Sequence, residues 1–250
     1  MLTLPFWLFP AFFLTALFYA VIGFGGGSSY LAFLALTHLP LYEVAALALF
    51  CNLIVASGGV WHFSKAGQMR PKMLLPFLIS SIPAAYLGGL VKSEDSIHRI
   101  LLGVCLLFVA WRIWFGNPDS STALRKTSGG FFMLIAFLAG GILGFLSGFL
   151  GIGGGIFLSP ILILAGWASA KESSAAASLF ILLNSAAGLM ARTHFLSVYI
   201  PECIFLGAIV FLGGQLGSRI GAYHLPNSPL RKILAGFISW VGLRLLGVIL

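Results

Sequence analysis

Long apolar blocks, separated by short polar or glycine-rich breaks, dominate this chain. The first block runs from Leu4 to Phe24 and passes into a glycine cluster. A short apolar piece follows, Ser28 to Leu36, and then three fuller blocks near Val44 to Phe63, Met73 to Val91 and Ile97 to Phe115. After one polar stretch the same order returns. Phe131 to Leu150 leads into glycines and a short piece, Ile156 to Leu164, and then come Ala175 to Ala191, Ile200 to Ile220 and Leu230 to Leu250. A helix needs about 20 apolar residues to cross about 30 Å of hydrocarbon. The long blocks meet that length and the short pieces do not. The pattern predicts an all-α, polytopic membrane protein. The first block lacks a positively charged leader and a small-residue cleavage site, so it reads as a membrane helix and not as a signal peptide.

The recurrence extends to individual residues. Gly23-Phe24-Gly25-Gly26-Gly27 reappears as Gly151-Ile152-Gly153-Gly154-Gly155, 128 positions later. Asn52 with His62-Phe63 reappears as Asn184 with His194-Phe195 at an offset of 132, and Ile100-Leu101 with Gly103 as Ile233-Leu234 with Gly236 at 133. Three matches in order point to an internal duplication. The expected organisation is a first membrane repeat over 1–116, a polar linker over 117–129 and a second repeat over 130–250. The linker, with Asn117-Pro118-Asp119-Ser120-Ser121, has the composition of an exposed connection.

Charge sharpens the picture. Of 250 residues 60% are hydrophobic and 8% charged, against about 25% charged in a typical soluble domain. The net charge is +8, yet no Lys or Arg precedes Lys65. That distribution excludes a nucleic-acid-binding face and suits basic loops beside membrane lipid. If each short piece is the far half of a broken crossing, each half has five segments. Lys65, Arg70, Lys72, Arg112, Arg125, Lys126, Lys171, Arg219, Arg231 and Lys232 then share one side, against Lys92, Arg99, Arg192 and Arg244. This positive-inside pattern and the odd segment number imply inverted repeats with both termini outside.

Three successive glycines weaken a helix by roughly 1 kcal/mol each relative to Ala. In a membrane their freed backbone groups need protein or water around them. The breaks therefore mark the interior. Beyond each break a short helix opens, whose first N–H groups lack intrahelical partners and carry the positive dipole end. Ser28 and Ser29 can cap the first opening. Ser159 and Pro160 sit a turn into the second, where a missing N–H is tolerated. Gly25, Gly26, Gly27, Ser28, Ser29, Gly153, Gly154, Gly155 and Ser159 are thus candidates to cradle a small anion without a buried cation. The alternative is close helix packing through small residues.

Gly151-Ile152-Gly153-Gly154-Gly155-Ile156-Phe157-Leu158-Ser159-Pro160-Ile161-Leu162 resembles the signature of the TauE/SafE sulfite exporter family, also called the 4-toluene sulfonate uptake permease family. The second glycine motif, the duplication and the length agree, and the resemblance covers nearly the whole chain. It implies a multi-pass transporter of the cell inner membrane that handles sulfite or organosulfonates. The first motif departs from the pattern, with Ala32 where the second copy has Pro160.

Other polar residues fall inside apolar blocks. Asn52 and Asn184, at matching positions, either tie helices together or donate to an oxyanion. His62 and His194 are candidates for proton coupling, because imidazole titrates near neutral pH, or else pack at the interface. Arg192 either draws anions into a vestibule or snorkels to the interface. Glu43 and Glu172 open equivalent helices, where acids complement the dipole. Cys51, Cys105 and Cys203 show no paired spacing. Cys51 beside Asn52 leaves open an intramembrane sulfur-handling enzyme, and a non-transporting structural subunit is a further alternative. No catalytic motif, metal-ligand spacing or cofactor fingerprint is present. The expectation is a transporter, not an enzyme, that exports a small anion and needs no cofactor.

Overall fold

The computed structural model describes residues 5–34, 41–92, 129–192 and 200–224, with scattered positions within 100–115 and 236–247. These residues delimit α1 (Leu8–Val21), α2 (Gly27–Leu34), α3 (Leu41–Lys65), α4 (Pro71–Leu90), α5 (Gly130–Leu150), α6 (Gly155–Leu164), α7 (Ala170–Met190) and α8 (Ile200–Tyr223). The described positions within 100–115 are helical as well. No strand occurs among the described residues. Five helices, α3, α4, α5, α7 and α8, are long and apolar enough to cross a membrane. The all-helical, multi-span architecture matches the expectation. The last predicted block, Leu230 to Leu250, lies mostly outside the described residues.

The short pieces do not continue their crossings; each folds back beside the helix that precedes it. Phe12 of α1 stacks on Tyr30 of α2 at 4.6 Å, and Trp7, just before α1, meets Phe33 edge-on at 6.0 Å. In the second half Trp167, just past α6, packs edge-on against Phe132 near the start of α5 at 4.9 Å. These are re-entrant hairpins. The reversal rests on glycines with left-handed backbone, Gly23 and Gly26 in the first and Gly151, Gly153 and Gly154 in the second, all with φ between 73° and 90°. Other residues resist that conformation. α2 and α6 open immediately after these turns.

Two glycine ladders join the hairpins to full spans. Gly213, Gly217 and Gly221 of α8 press on the backbone carbonyls of Phe13, Leu17 and Val21 of α1. Gly140, Gly144 and Gly148 of α5 press in the same way on Phe77, Ser81 and Ala85 of α4. Numbers rise together in both pairs, so both are parallel. Spacing of four places each glycine on one helix face, and the missing side chains let backbones approach closely where no water drives association.

α3 and α7 cross in the interior in opposite directions. A Cβ on Gly59 would lie 2.6 Å from Ser178 Oγ, and one on Gly188 3.1 Å from Leu49. Ser169 caps α7 by a reciprocal box with Glu172, and Glu43 lies in the first turn of α3, as the dipole argument expects. At one end of the bundle Arg70 pairs with Glu172 at 3.5 Å, while Lys171 and Gln68 both donate to the Ala222 carbonyl. Lys65, Arg70, Lys72, Lys171 and Arg219 gather at this end. At the opposite end Lys92 and Arg192 both lie over the Tyr42 ring, at 5.5 and 4.8 Å. A hairpin returns the chain to the side it left, as a fifth segment would, so the described cations divide between the two ends in the five-segment manner although neither short piece completes a crossing.

Candidate functional site

The middle of α3 and the middle of α7 meet where the two glycine breaks converge. A side chain on Gly25 or Gly27 would fall onto the amide of Asn52. On Gly153 it would lie 2.8 Å from Asn52 Nδ2, 2.9 Å from Ile181 Cγ2 and 3.1 Å from Ser185 Oγ. On Gly155 it would lie 2.6 Å from Ile181 Cδ1. The openings of α2 and α6 therefore flank one pair of side chains, Asn52 and Ile181. Close packing is what makes these glycines necessary, so the small-residue reading holds for the geometry. It does not account for the polar groups left there.

Asn52 is fully buried, and neither its amide nitrogen nor its amide oxygen has a hydrogen-bond partner. Ser185 Oγ and Ser147 Oγ are also buried and unpartnered. Ser147 borders Gly154, whose Cβ would be 3.0 Å from the serine Cβ. Ser29 and Tyr30 return their N–H groups to the Gly26 carbonyl, and Phe157 and Leu158 return theirs to Gly154. The Gly155 N–H turns back to the Gly153 carbonyl at 3.0 Å, which leaves the amides of Gly27, Ser28 and Ile156 as the early ones with no backbone acceptor among the described residues. An unpaired buried amide costs about 1–3 kcal/mol. Its persistence beside two positive helix ends suits a visiting group that accepts hydrogen bonds and carries negative charge.

Several other candidates take different positions. Ser28 and Ser29 do not cap α2. They lie within its first turn, and their hydroxyls meet the Tyr19 hydroxyl at 3.1 and 2.9 Å. Ser159 ties α6 to α7: its hydroxyl donates to the Ser173 carbonyl, and Ser173 donates to the Ser159 carbonyl. Pro160 falls in the second turn of α6, beyond the N–H groups that a helix start leaves free. Asn184 donates to the Phe180 carbonyl of its own helix at 2.8 Å. Cys51 is buried in the hydrophobic core. His194 lies outside the described residues.

The residue that stands to the second glycine cluster as Asn52 stands to the first is Ile181. Asn52 lies against Gly25, Gly27 and Gly153, and Ile181 lies against Gly153, Gly155 and Gly25. Gly25 and Gly153 are 128 positions apart, and Asn52 and Ile181 are 129 apart. Sequence reasoning followed the Asn-and-His match at 132 and so paired Asn52 with Asn184. Holding the glycine offset of 128 one helix further leads to Phe180, the neighbour of Ile181 in sequence. Ile181 is apolar where Asn52 is polar, and the second half brings its polar groups from Ser185 and Ser147 instead. Ser185 and Ser147 carried no signal beyond their polarity in apolar blocks.

His62 lies ten residues along α3 from Asn52, about 15 Å away at 1.5 Å per residue. Its Nε2 is 3.0 Å from Gln215 Oε1. It lines an open cleft of about 520 Å³ with Trp61, Lys65, Arg219, Tyr223 and His224. The structure does not bring this histidine to the glycine breaks.

Arg192 neither snorkels nor faces a vestibule. It is 2% exposed and donates to the Gly148 carbonyl at 2.7 Å, the Phe149 carbonyl at 3.1 Å and the Gly188 carbonyl at 3.3 Å. Burial pushes its guanidinium down to about 10, opposed by Tyr42, so it stays charged at neutral pH. It closes the C-terminal turn of α5 just before the second glycine break, where carbonyls would otherwise face a low-dielectric interior. Arg192→Met is expected to lower stability by about 3 kcal/mol or more, since it removes several charge-assisted bonds at once. Arg192→Lys is expected to recover only part of this, because an ammonium lacks the planar fork. Thermal unfolding in detergent measures both. Equal stability of all three proteins would remove Arg192 from this role.

Two short helices folded back into a bundle with five helices long and apolar enough to cross a membrane define a multi-pass membrane protein with a buried polar centre. The model of the family "Sulfite exporter TauE/SafE" matches residues 8–245. The chain belongs to this TauE/SafE family. It is also 33% identical over 249 residues to the "Probable membrane transporter protein y4hK" of Sinorhizobium fredii (strain NBRC 101917 / NGR234), covering 94% of this chain and 96% of the relative. No solved structure matches.

Proposed function

We propose that the protein exports small sulfur-containing oxyanions, such as sulfite or organosulfonates, and binds them between the openings of α2 and α6. The observation that carries this reading is the buried amide of Asn52, unpartnered at the point where both glycine breaks converge. The amides of Gly27, Ser28 and Ile156, which have no backbone acceptor among the described residues, and the Ser185 hydroxyl complete a set of donors with no fixed positive charge. A site of this kind holds an anion without trapping it. Direction needs no coupling ion: across an inside-negative membrane each negative charge leaving gains about 2.3 kcal/mol per 100 mV.

In this reading the chain is two inverted repeats, 1–116 and 130–250, joined by a linker over 117–129. Its cation-rich end faces the cytoplasm from the cell inner membrane. The helix partnerships support the repeat. α1 on α8 exchanges with α5 on α4, and α3 crosses α7 in the opposite sense. The test is flux in proteoliposomes across sulfite, sulfate, thiosulfate, sulfoacetate and chloride, with the potential clamped at both signs. Sulfite or sulfoacetate is expected to move fastest, and outward flux to rise with inside-negative potential. Chloride moving as fast as the sulfur anions would overturn the substrate assignment.

A further inference from the structure

The open cleft between the last turns of α3 and α8 lies outside the glycine-break site, and its chemistry differs. Lys65, Arg219, His62 and His224 line it, and no acidic side chain does among the described residues. Trp61 and Tyr223 form its aromatic edges, at 58% and 47% exposed. The Lys65 ammonium lies over the Trp61 ring at 4.2 Å, and both residues line the cleft. The Tyr223 ring meets the His62 ring edge-on at 6.4 Å.

The position of Arg219 shows what approaches from outside. Leu212, Leu216, Arg219 and Tyr223 recur at helical spacing on the exposed side of α8. Leu212 and Leu216, 59% and 51% exposed, belong to the hydrocarbon-facing surface. Arg219 and Tyr223 prolong that stripe into the interfacial zone at the cation-rich end. In a bilayer set by that stripe, acyl chains would run below the cleft and headgroups would lie level with its cations. Trp and Tyr favour the same level.

We propose that this cleft is a binding site for the phosphodiester headgroup of an anionic phospholipid, with Arg219 and Lys65 on the phosphate oxygens and an acyl chain along Leu216 and Leu212. Basic pockets between membrane helices at this depth recognise anionic headgroups. A volume of about 520 Å³ admits a headgroup. Arg supplies a planar fork for the phosphate, and Lys a movable point charge. A lipid held here bridges α3, which carries Asn52, and α8.

The test separates a lipid from a free anion. Purified protein in neutral detergent is heated with dioctanoyl phosphatidylglycerol, dioctanoyl phosphatidylcholine or inorganic phosphate. Only phosphatidylglycerol is expected to raise the unfolding midpoint. Its apparent affinity is expected to fall about thirtyfold in Lys65→Gln/Arg219→Gln, two cations each supplying the usual surface attraction. Equal shifts from both lipids, an equal shift from phosphate alone, or an unchanged affinity in the variant each overturn the proposal. Native mass spectra of the unaltered protein in an equimolar mixture of the two lipids give a readout that needs no variant. Preferential retention of phosphatidylglycerol is expected there, and equal retention overturns the assignment.

Discussion

Asn52→Leu is expected to cut flux of the preferred anion at subsaturating concentration roughly 10- to 100-fold, the size of one lost hydrogen bond to a charged group. The same substitution is expected to make the empty protein more stable. Asn52 is fully buried and neither end of its amide is partnered. Leu has nearly the same shape without the polar atoms, so the penalty of about 1–3 kcal/mol for an unsatisfied buried group disappears. A residue kept for function at the expense of stability behaves in this way. An asparagine that serves as interhelical glue behaves oppositely: its replacement loses stability and leaves flux intact. Unfolding in the absence of anion, measured beside flux, separates the two roles. Added sulfite should raise the midpoint of the unaltered protein and leave Asn52→Leu where it was. Lost stability with normal flux would remove Asn52 from the substrate site.

The segmentation was legible because hydrocarbon thickness leaves few options for an apolar block. α3, α4, α5, α7 and α8 all lie within a few residues of the blocks that predicted them. The glycine breaks were legible for a related reason, since consecutive glycines in an apolar run need a special environment. The direction of α2 and α6 was not. A short apolar piece after a break can continue a crossing or return beside it, and composition is the same in both cases. Only the pairing of Phe12 with Tyr30 and of Phe132 with Trp167 decides.

Within the site, identity in sequence proved a poorer guide than register. Asn184 repeats Asn52 in residue type, yet its amide donates to its own helix, and Ile181 occupies the matching place. Arg192 misled for another reason. An arginine at a span end usually reaches for water, and nothing local in the sequence shows the carbonyls of Gly148 and Phe149 waiting beside it. Those carbonyls belong to a helix that ends more than forty residues earlier in the chain. Long-range satisfaction of backbone groups is invisible to a reading by segments.

Gly153→Ala is expected to reduce flux to background, whereas Gly67→Ala leaves it near normal. Both glycines have left-handed backbone, with φ of 83° and 71°. An alanine at either position therefore meets a similar strain of about 1–2 kcal/mol. They differ in surroundings. A Cβ at Gly67 meets nothing within 4 Å, so strain is its whole effect. A Cβ at Gly153 meets Asn52 Nδ2 at 2.8 Å, Ile181 Cγ2 at 2.9 Å and Ser185 Oγ at 3.1 Å. The methyl group occupies the space between the donors and presents carbon where the anion would bind. Comparing the two variants subtracts backbone strain from the result. The double variant Gly153→Ala/Ile181→Ala tests the remainder. Trimming Ile181 relieves the apolar contact, so stability is expected to recover toward that of Gly67→Ala. Flux is expected to stay absent, because the methyl still stands against the Asn52 amide. Recovery of flux in the double variant would show that room beside Ile181, and not the ring of donors around Asn52, limits transport.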